Sequence, residues 1–176
     1  MASRTPSRSR SAAYERWQNP RNSMGYLCRS AFRRFAKALE NRTLRHGISS
    51  GQWAFLRVLW HEDGITQSEL SQRVDMREPT TVVAIKGLER GGFVFRRADP
   101  SDQRKVRVFL TRKARELERR MIPYAAEVNA IAARGIDAQD LRVTRRVLFN
   151  LAQNLAHEAS ERPGRKALRS RRQSKD

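Results

Sequence analysis

The sequence has one cysteine, Cys28, in 176 residues. No intramolecular disulfide can form, which points to a reducing, cytoplasmic setting. No stretch approaches the ~20 apolar residues of a membrane span. The N-terminal MASRTPSRSRSAAYERW carries basic residues but no apolar h-region, so it does not read as a signal peptide. Histidines are few. His46, His61 and His157 lack the spacing of metal ligands, and no cysteine pair joins them. A G-x-S-x-G motif, a glycine-rich phosphate loop and a clear carboxylate pair are all missing. These absences argue against an enzyme, and no metal or other cofactor is expected. No internal repeat is evident.

Positive charge is what the chain has in excess. Lys and Arg number 37 against 18 Asp and Glu, a formal net charge of +19. Such an imbalance opposes compaction through self-repulsion, so it points to a polyanionic partner. Nucleic acid fits better than a membrane surface, which would require a basic amphipathic helix with exposed apolar bulk. Residues 1–22 are rich in Ser, Arg and Pro, and residues 160–176 form a basic stretch around Pro163-Gly164. Both read as disordered tails. They either solubilise the protein or attract phosphates without a fold.

Between the tails the apolar pattern is strong. From Met24, apolar residues recur at Leu27, Cys28, Ala31, Phe32, Phe35, Ala36 and Leu39. This is the stripe of an amphipathic helix, closed near Gly47. On that stripe Cys28 is expected to be buried and inert. Ser49-x-x-Gln52 is a capping box. The helix behind it, with Trp53, Phe55, Leu56, Val58, Leu59 and Trp60, is apolar on nearly every side and should lie between neighbours. Gly64 ends it, and Ile65 suits a very short strand. Thr66-x-x-Glu69 opens a short helix with Leu70 and Val74 inward. Pro79 suits the first turn of the next helix, which should bury Val82, Ile85 and Leu88 and stop at Gly91-Gly92.

Two short helices across a tight turn suggest a helix-turn-helix. Phe93–Phe95 and Val106–Leu110 then form a hairpin, which makes the unit a winged helix-turn-helix. After the N-cap Thr111, a long helix carries Ala114, Leu117, Met121, Tyr124, Ala125 and Val128, with a kink expected at Pro123. Asp137 caps a last helix striped by Leu141, Val147, Leu148, Leu151 and Leu155. The fold class is mainly α with a small β-hairpin wing. A DNA-binding winged domain occupies 48–111, and a helical dimerisation region occupies 23–47 and 112–159. The long helices outreach so small a winged domain, and a second copy of the chain is the economical cover for their stripes.

The whole arrangement resembles the MarR family of bacterial transcriptional regulators over roughly residues 24–158. The likeness is most specific in ADPSDQRKVRVFLT, where Asp102, Arg104, Leu110 and Thr111 match a D-x-R pattern followed by Leu-Thr. TQSELSQRV and PTTVVAIKGLERGGFVFR resemble the family's two reading helices and first wing strand. Ala114 departs from the Gly of many members, a change that favours helix. The resemblance implies an obligate homodimer on pseudo-palindromic double-stranded operator DNA. It also implies a repressor, and in many members one released by a small phenolic or aromatic acid. Such a protein works in the cytoplasm, at the nucleoid when DNA-bound.

The recognition helix should enter the major groove N-terminus first. Arg77, Thr80 and Thr81 lead it and Lys86 follows. Threonine hydroxyls reach phosphates or bases, and threonine methyls meet the thymine methyl. Gln67 and Ser68 begin the preceding helix, whose N-terminus favours anions. In the wing, Asp102 and Arg104 share one face if the chain is extended, and can pair. That pairing would aim the guanidinium at a minor groove, with Arg97 and Lys105 on flanking phosphates. For an effector, the resemblance points to a cleft between the long helices and the winged domain. Tyr26, Arg33, His46, Trp53, Arg57 and Trp60 would supply aromatic walls and a cation there. Two alternatives stand beside this reading. One is a redox-sensing repressor acting through Cys28, placed as in peroxide-sensing members but with Phe32 where they carry tyrosine. The other is an architectural protein that binds duplex DNA by charge.

Overall fold

The computed structural model describes residues 18–161. The expected tails lie outside these residues except at their inner edges, and there the expectation of disorder fails. Pro20–Asn22 form a 3-10 turn, because the Asn19 side chain accepts from the Arg21 amide at 3.0 Å. At the other end the last helix reaches Glu161. The chain divides into two units, one running to Asn129 and the other starting at Ala130.

In the first unit, α1 (Met24–Thr43) starts at Ser23, whose hydroxyl accepts from the Tyr26 amide. A 3-10 turn (Leu44–His46) and Gly47 end it. Both expected capping boxes form, Ser49 with Gln52 ahead of α2 (Ser50–His61) and Thr66 with Glu69 ahead of α3 (Gln67–Arg73). In each, the cap hydroxyl takes one orphan amide while the side chain three residues on takes the cap's own N–H. Those bonds from Thr66 hold the Glu69 carboxyl below its ordinary range. In the turn that follows, Ser71 Oγ donates to the Met76 carbonyl at 2.6 Å and Asp75 takes a φ of 52°. Asp visits this left-handed region more readily than most residues. α4 (Glu78–Arg90) follows, with Pro79 in its first turn.

β1 (Val94–Ala98) pairs antiparallel with β2 (Val106–Leu110), setting Val94 opposite Leu110 and Ala98 opposite Val106. The short strand expected at Ile65 is reduced to a single bridge, Thr66 opposite Arg107. It still ties the helices to the wing: Val108 donates to the Ile65 carbonyl at 2.9 Å and Gly64 donates to Val108 at 3.1 Å. Gly64 has a φ of 74°, and a Cβ there would stand 2.6 Å from the Phe109 ring. Only glycine satisfies both constraints. α5 (Arg112–Ala132) starts from Thr111, whose hydroxyl accepts from Ala114, and it stays helical through Pro123.

One core joins these elements, with Ile48, Phe55, Leu56, Leu59, Leu70, Ile85, Leu88, Val108 and Met121 at its centre. Burial of side chains of this size contributes roughly 1.5–3 kcal/mol each. On α4 the buried positions are Thr81, Ile85 and Leu88, whereas Val82 is only half-buried. The expected stripe was therefore one position out at its start. The observed spacing of four and three is a true helical face, and it leaves Val83 on the outside.

Two carboxylates anchor the wing. Asp63 Oδ1 accepts from the Leu110 and Gly64 amides, and Oδ2 meets Arg115 at 2.6 Å. Asp99 is 2% exposed. It accepts from the Ser101 amide and hydroxyl at 2.8 and 2.6 Å and from Arg107 Nε. Arg107 also donates to the Gly64 carbonyl at 2.9 Å. The Ser101 hydroxyl and amide, then Arg107, hold the Asp99 carboxyl far below the usual carboxylate range.

In the second unit, Asp137 accepts from the Asp140 amide at 2.8 Å and starts α6 (Ala138–Glu161) as expected. This helix exposes Val147, Leu148, Phe149 and Leu155. Among the described residues no helix is long and apolar enough to cross a membrane.

Because the native pKa of Asp99 is depressed, its contribution to stability is complete above the ordinary carboxylate range, about pH 4. It is lost as pH falls through the native value. Asp99→Asn should therefore lower the thermal midpoint at pH 7, and the gap to wild type should begin to narrow as the pH drops below about 4. Melting curves across pH 3–7 test this, and a gap that stays constant would refute it.

Candidate nucleic-acid interface

The first turns of α3 and α4 and the tip of the wing open onto one shallow groove. It has a volume of about 220 Å³ and is lined by Thr66, Gln67, Ser68, Glu78, Arg104, Lys105 and Val106. Four residues expected from the sequence to bind DNA, Gln67 and Ser68 of α3 and Arg104 and Lys105 of the wing, are thereby brought together. Ser68 is partly engaged already, since its hydroxyl donates to Glu78 Oε1 at 3.0 Å.

At the wing tip the chain is not extended. Lys105 donates its amide to the Asp102 carbonyl at 2.8 Å, closing a turn. The Asp102 carboxylate accepts from the Arg104 amide at 3.1 Å, and more weakly from Arg104 Nε at 3.4 Å. The expected Asp102–Arg104 pairing is present, but it comes from an Asx-type turn and not from the pleat of a strand. The Arg104 side chain is 94% exposed. Its contact with Asp102 therefore contributes little to stability and leaves the guanidinium projecting. Lys105 Nζ lies 3.8 Å from the same carboxylate.

Arg97 is exposed on the outer face of the hairpin. Its guanidinium lies 5.8 Å from the centres of both the Phe95 and Phe109 rings, which stack 5.4 Å apart. Cation–π attraction holds the charge over this platform. On α4, Arg77, Thr80 and Lys86 are exposed. Arg77 is the N-cap and makes no side-chain capping bond, so the amides of the first turn face outward with their partial positive charge.

Thr81 does not belong to this set. It is fully buried, and its hydroxyl has no hydrogen-bond partner among the described residues. The α4 face that carries Ile85 and Leu88 into the core carries Thr81 with them.

The six residues expected to form one effector cleft are dispersed. A largely apolar cleft of about 660 Å³ lies between α1, α2, α5 and the α3–α4 turn, with Phe35, Leu39, Trp53, Arg57, Met76 and Val128 in its wall. Only Trp53 and Arg57 of the expected set line it. Tyr26 and Arg33 line a separate basic depression on α1. His46 faces Phe93, Lys113 and Arg120, with Nε2 3.3 Å from the Tyr124 hydroxyl. Trp60 packs edge-on against Trp53 at 5.5 Å and donates to the Ala114 carbonyl at 3.0 Å. Helical rise explains the dispersal: a helix as long as α1 sets Tyr26 and His46 roughly 30 Å apart.

Cys28 is exposed, against the expectation of burial. The first half of α1 presents its stripe outward, so Met24, Leu27 and Phe32 are exposed with it. Nothing in the described surroundings of Cys28 supports the redox alternative. Among the described residues no group of three His, Cys, Asp or Glu side chains could hold a metal ion.

Several residues that build the interface escaped the sequence reading. Asp99 had a usable signal, because Asp-x-Ser is the spacing of an Asx turn. Its pairing with Arg107, like the reach of Asp63 to the Leu110 amide, joins residues distant along the chain and had none.

Comparison with known proteins agrees with this geometry. The MarR family profile matches residues 48–106. The HTH-type transcriptional regulator TtmR of Methylorubrum extorquens is 31% identical over 67% of this chain and 58% of its own length. The homoprotocatechuate degradative operon repressor of Escherichia coli is 30% identical over 54% of this chain and 62% of its own. The match thus spans little more than half the length of these curated relatives. A solved structure of a MarR transcriptional regulator from Methanosarcina mazei is 34% identical, with a TM-score of 0.69 over 76% of this chain and 96% of that one. With the helix-turn-helix, the hairpin wing and the flanking long helices all in place, this chain belongs to the MarR family of transcriptional regulators.

Proposed function

We propose that the protein is a homodimeric, sequence-specific repressor of transcription that binds a pseudo-palindromic operator. One observation carries the reading. A nearly free arginine, Arg104, sits at the tip of a wing whose base is locked to the core, beside the exposed first turn of α4. In this reading α4 enters the major groove with Arg77 and Thr80 leading and Lys86 behind. Arg104 enters the adjacent minor groove, where a narrow A·T-rich segment concentrates negative potential. Arg97, Lys105, Gln67 and Ser68 contact phosphates, which set register without reading sequence.

The winged domain, 48–111, does the reading, and the helices of 23–47 and 112–159 pair with a second copy. Support comes from apolar side chains exposed on each unit taken alone, Phe32 on α1 and Phe149 and Leu155 on α6. Two copies then meet two half-sites, which is what a pseudo-palindrome offers.

A small aromatic acid releases the operator. The cleft holding Trp53 and Arg57 supports this: it is apolar enough for a ring, and Arg57 offers a cation for a carboxylate, with Asp75 also on its wall. The Escherichia coli relative is by name the repressor of a degradative operon for homoprotocatechuate, an aromatic acid.

Arg104→Ala should weaken operator binding about tenfold or more, within the roughly 1–3 kcal/mol of a base-reading arginine. Its melting temperature should not move. Fluorescence anisotropy on a footprinted site measures the first and calorimetry the second; unchanged affinity would sink the wing's role. For the effector, benzoate, salicylate and phenylacetate should be screened by thermal shift. At least one should raise the midpoint of wild type and not of Arg57→Ala. No shift with any of the three, or equal shifts in both proteins, would contradict the cleft reading.

A further inference from the structure

The proposed reading surface holds one apolar side chain that folding does not explain. Val83 stands in the second turn of α4 and is 68% exposed. It lies outside the core that takes Thr81, Ile85 and Leu88 from the same helix. A β-branched residue on the solvent face of a helix gains no packing and lowers helix propensity. Thr80 stands one turn before it, and Lys86 follows at the same spacing.

The surroundings of Val83 are charged. It shares a shallow depression with Lys86, Glu89, Arg90 and Arg96. Glu89 is occupied by Arg96, whose Nε and Nη2 donate to Oε2 at 3.1 and 2.8 Å. What remains around Val83 is a cationic frame with a pair of methyl groups at its centre. A duplex major groove offers one feature that complements such a patch: the C5-methyl of thymine, an apolar group flanked by phosphates.

We propose that Val83 reads a thymine methyl group and so fixes the base preference at one position of each half-site. This rests on the DNA-binding reading above and adds a specificity determinant to it. The contact is apolar and needs no hydrogen bond. It discriminates thymine from cytosine and from uracil, both of which lack the methyl. Withdrawing one methyl from water is worth about fourfold in affinity, so Val83 tunes sequence preference while Arg104 and the phosphate contacts supply most of the binding.

The test begins by selecting bound duplexes from a random pool with the full-length protein. Each thymine of the consensus is then replaced by uracil in turn, which deletes the methyl and nothing else. With wild type, one thymine per half-site should show about fourfold weaker binding on replacement. With Val83→Ala that dependence should vanish, and affinity for the unmodified duplex should fall by a similar factor. Melting temperature should not fall, since alanine is the better helix former at this exposed position, and oligomeric state should match wild type. If a consensus emerges but no thymine shows a methyl effect that Val83→Ala abolishes, the inference is overturned and the DNA-binding reading stands. If selection yields no consensus, sequence-specific reading fails, and the inference fails with it.

Discussion

The wing can present a free arginine only because another arginine is not free. Arg107 is bonded to the buried Asp99 carboxylate and to the Gly64 carbonyl, and its own backbone bridges to Thr66. The bond to Asp99 ties the hairpin across its own two strands, and the other two connections fasten it to the segment between α2 and α3. Asp63 adds a second clasp, joining the start of α5 to the end of β2. A two-stranded hairpin alone is marginal in water. Fastened this way it becomes an extension of the core, and Arg104 is displayed from a rigid base at little entropic cost on binding.

The same logic organises the charge. Many acidic side chains in the described chain are bonded internally: Asp63 and Asp99 in the wing clasps, Glu69 in a capping box, Glu89 with Arg96 and Glu127 with Arg42. Carboxylates are thus spent on positioning, and the projecting groups of the interface are mainly cationic. In the proposed reading an anionic duplex meets a surface on which Glu89 and Asp102 already face arginines, while Glu78 is held only by the Ser68 hydroxyl. That arrangement speeds encounter and suppresses like-charge repulsion at once.

Local signals in the sequence located most of this fold. Ser49 with Gln52, Thr66 with Glu69, Thr111 and Asp137 each mark a helix start through bonds made within three residues, Pro79 marks one by its fixed φ and missing N–H, and each stands where expected. The hairpin was legible from its alternation and turn residues. Failures arose where the answer depends on contacts distant in sequence. Thr81 looked like a DNA contact because threonine is polar, but the rotation of α4 is set by Ile85 and Leu88 meeting α2 and α3, and that rotation buries it. The effector set failed for a geometric reason: aromatic and cationic residues were grouped by chemistry, although the length of α1 keeps Tyr26 and His46 at opposite ends. The stripe alone puts Cys28 in the core, yet the stripe's first half finds no cover in its own unit.

The central claim is that a rigidly held wing and α4 together read sequence, and that bulk charge alone does not explain binding. The most direct test is the ratio of affinities for a footprinted genomic site and a scrambled duplex of equal length, measured as salt is raised. The account predicts a site-specific advantage of about 10³ or more that survives at physiological salt. A ratio near one at every salt concentration, with both affinities falling steeply together, would contradict it.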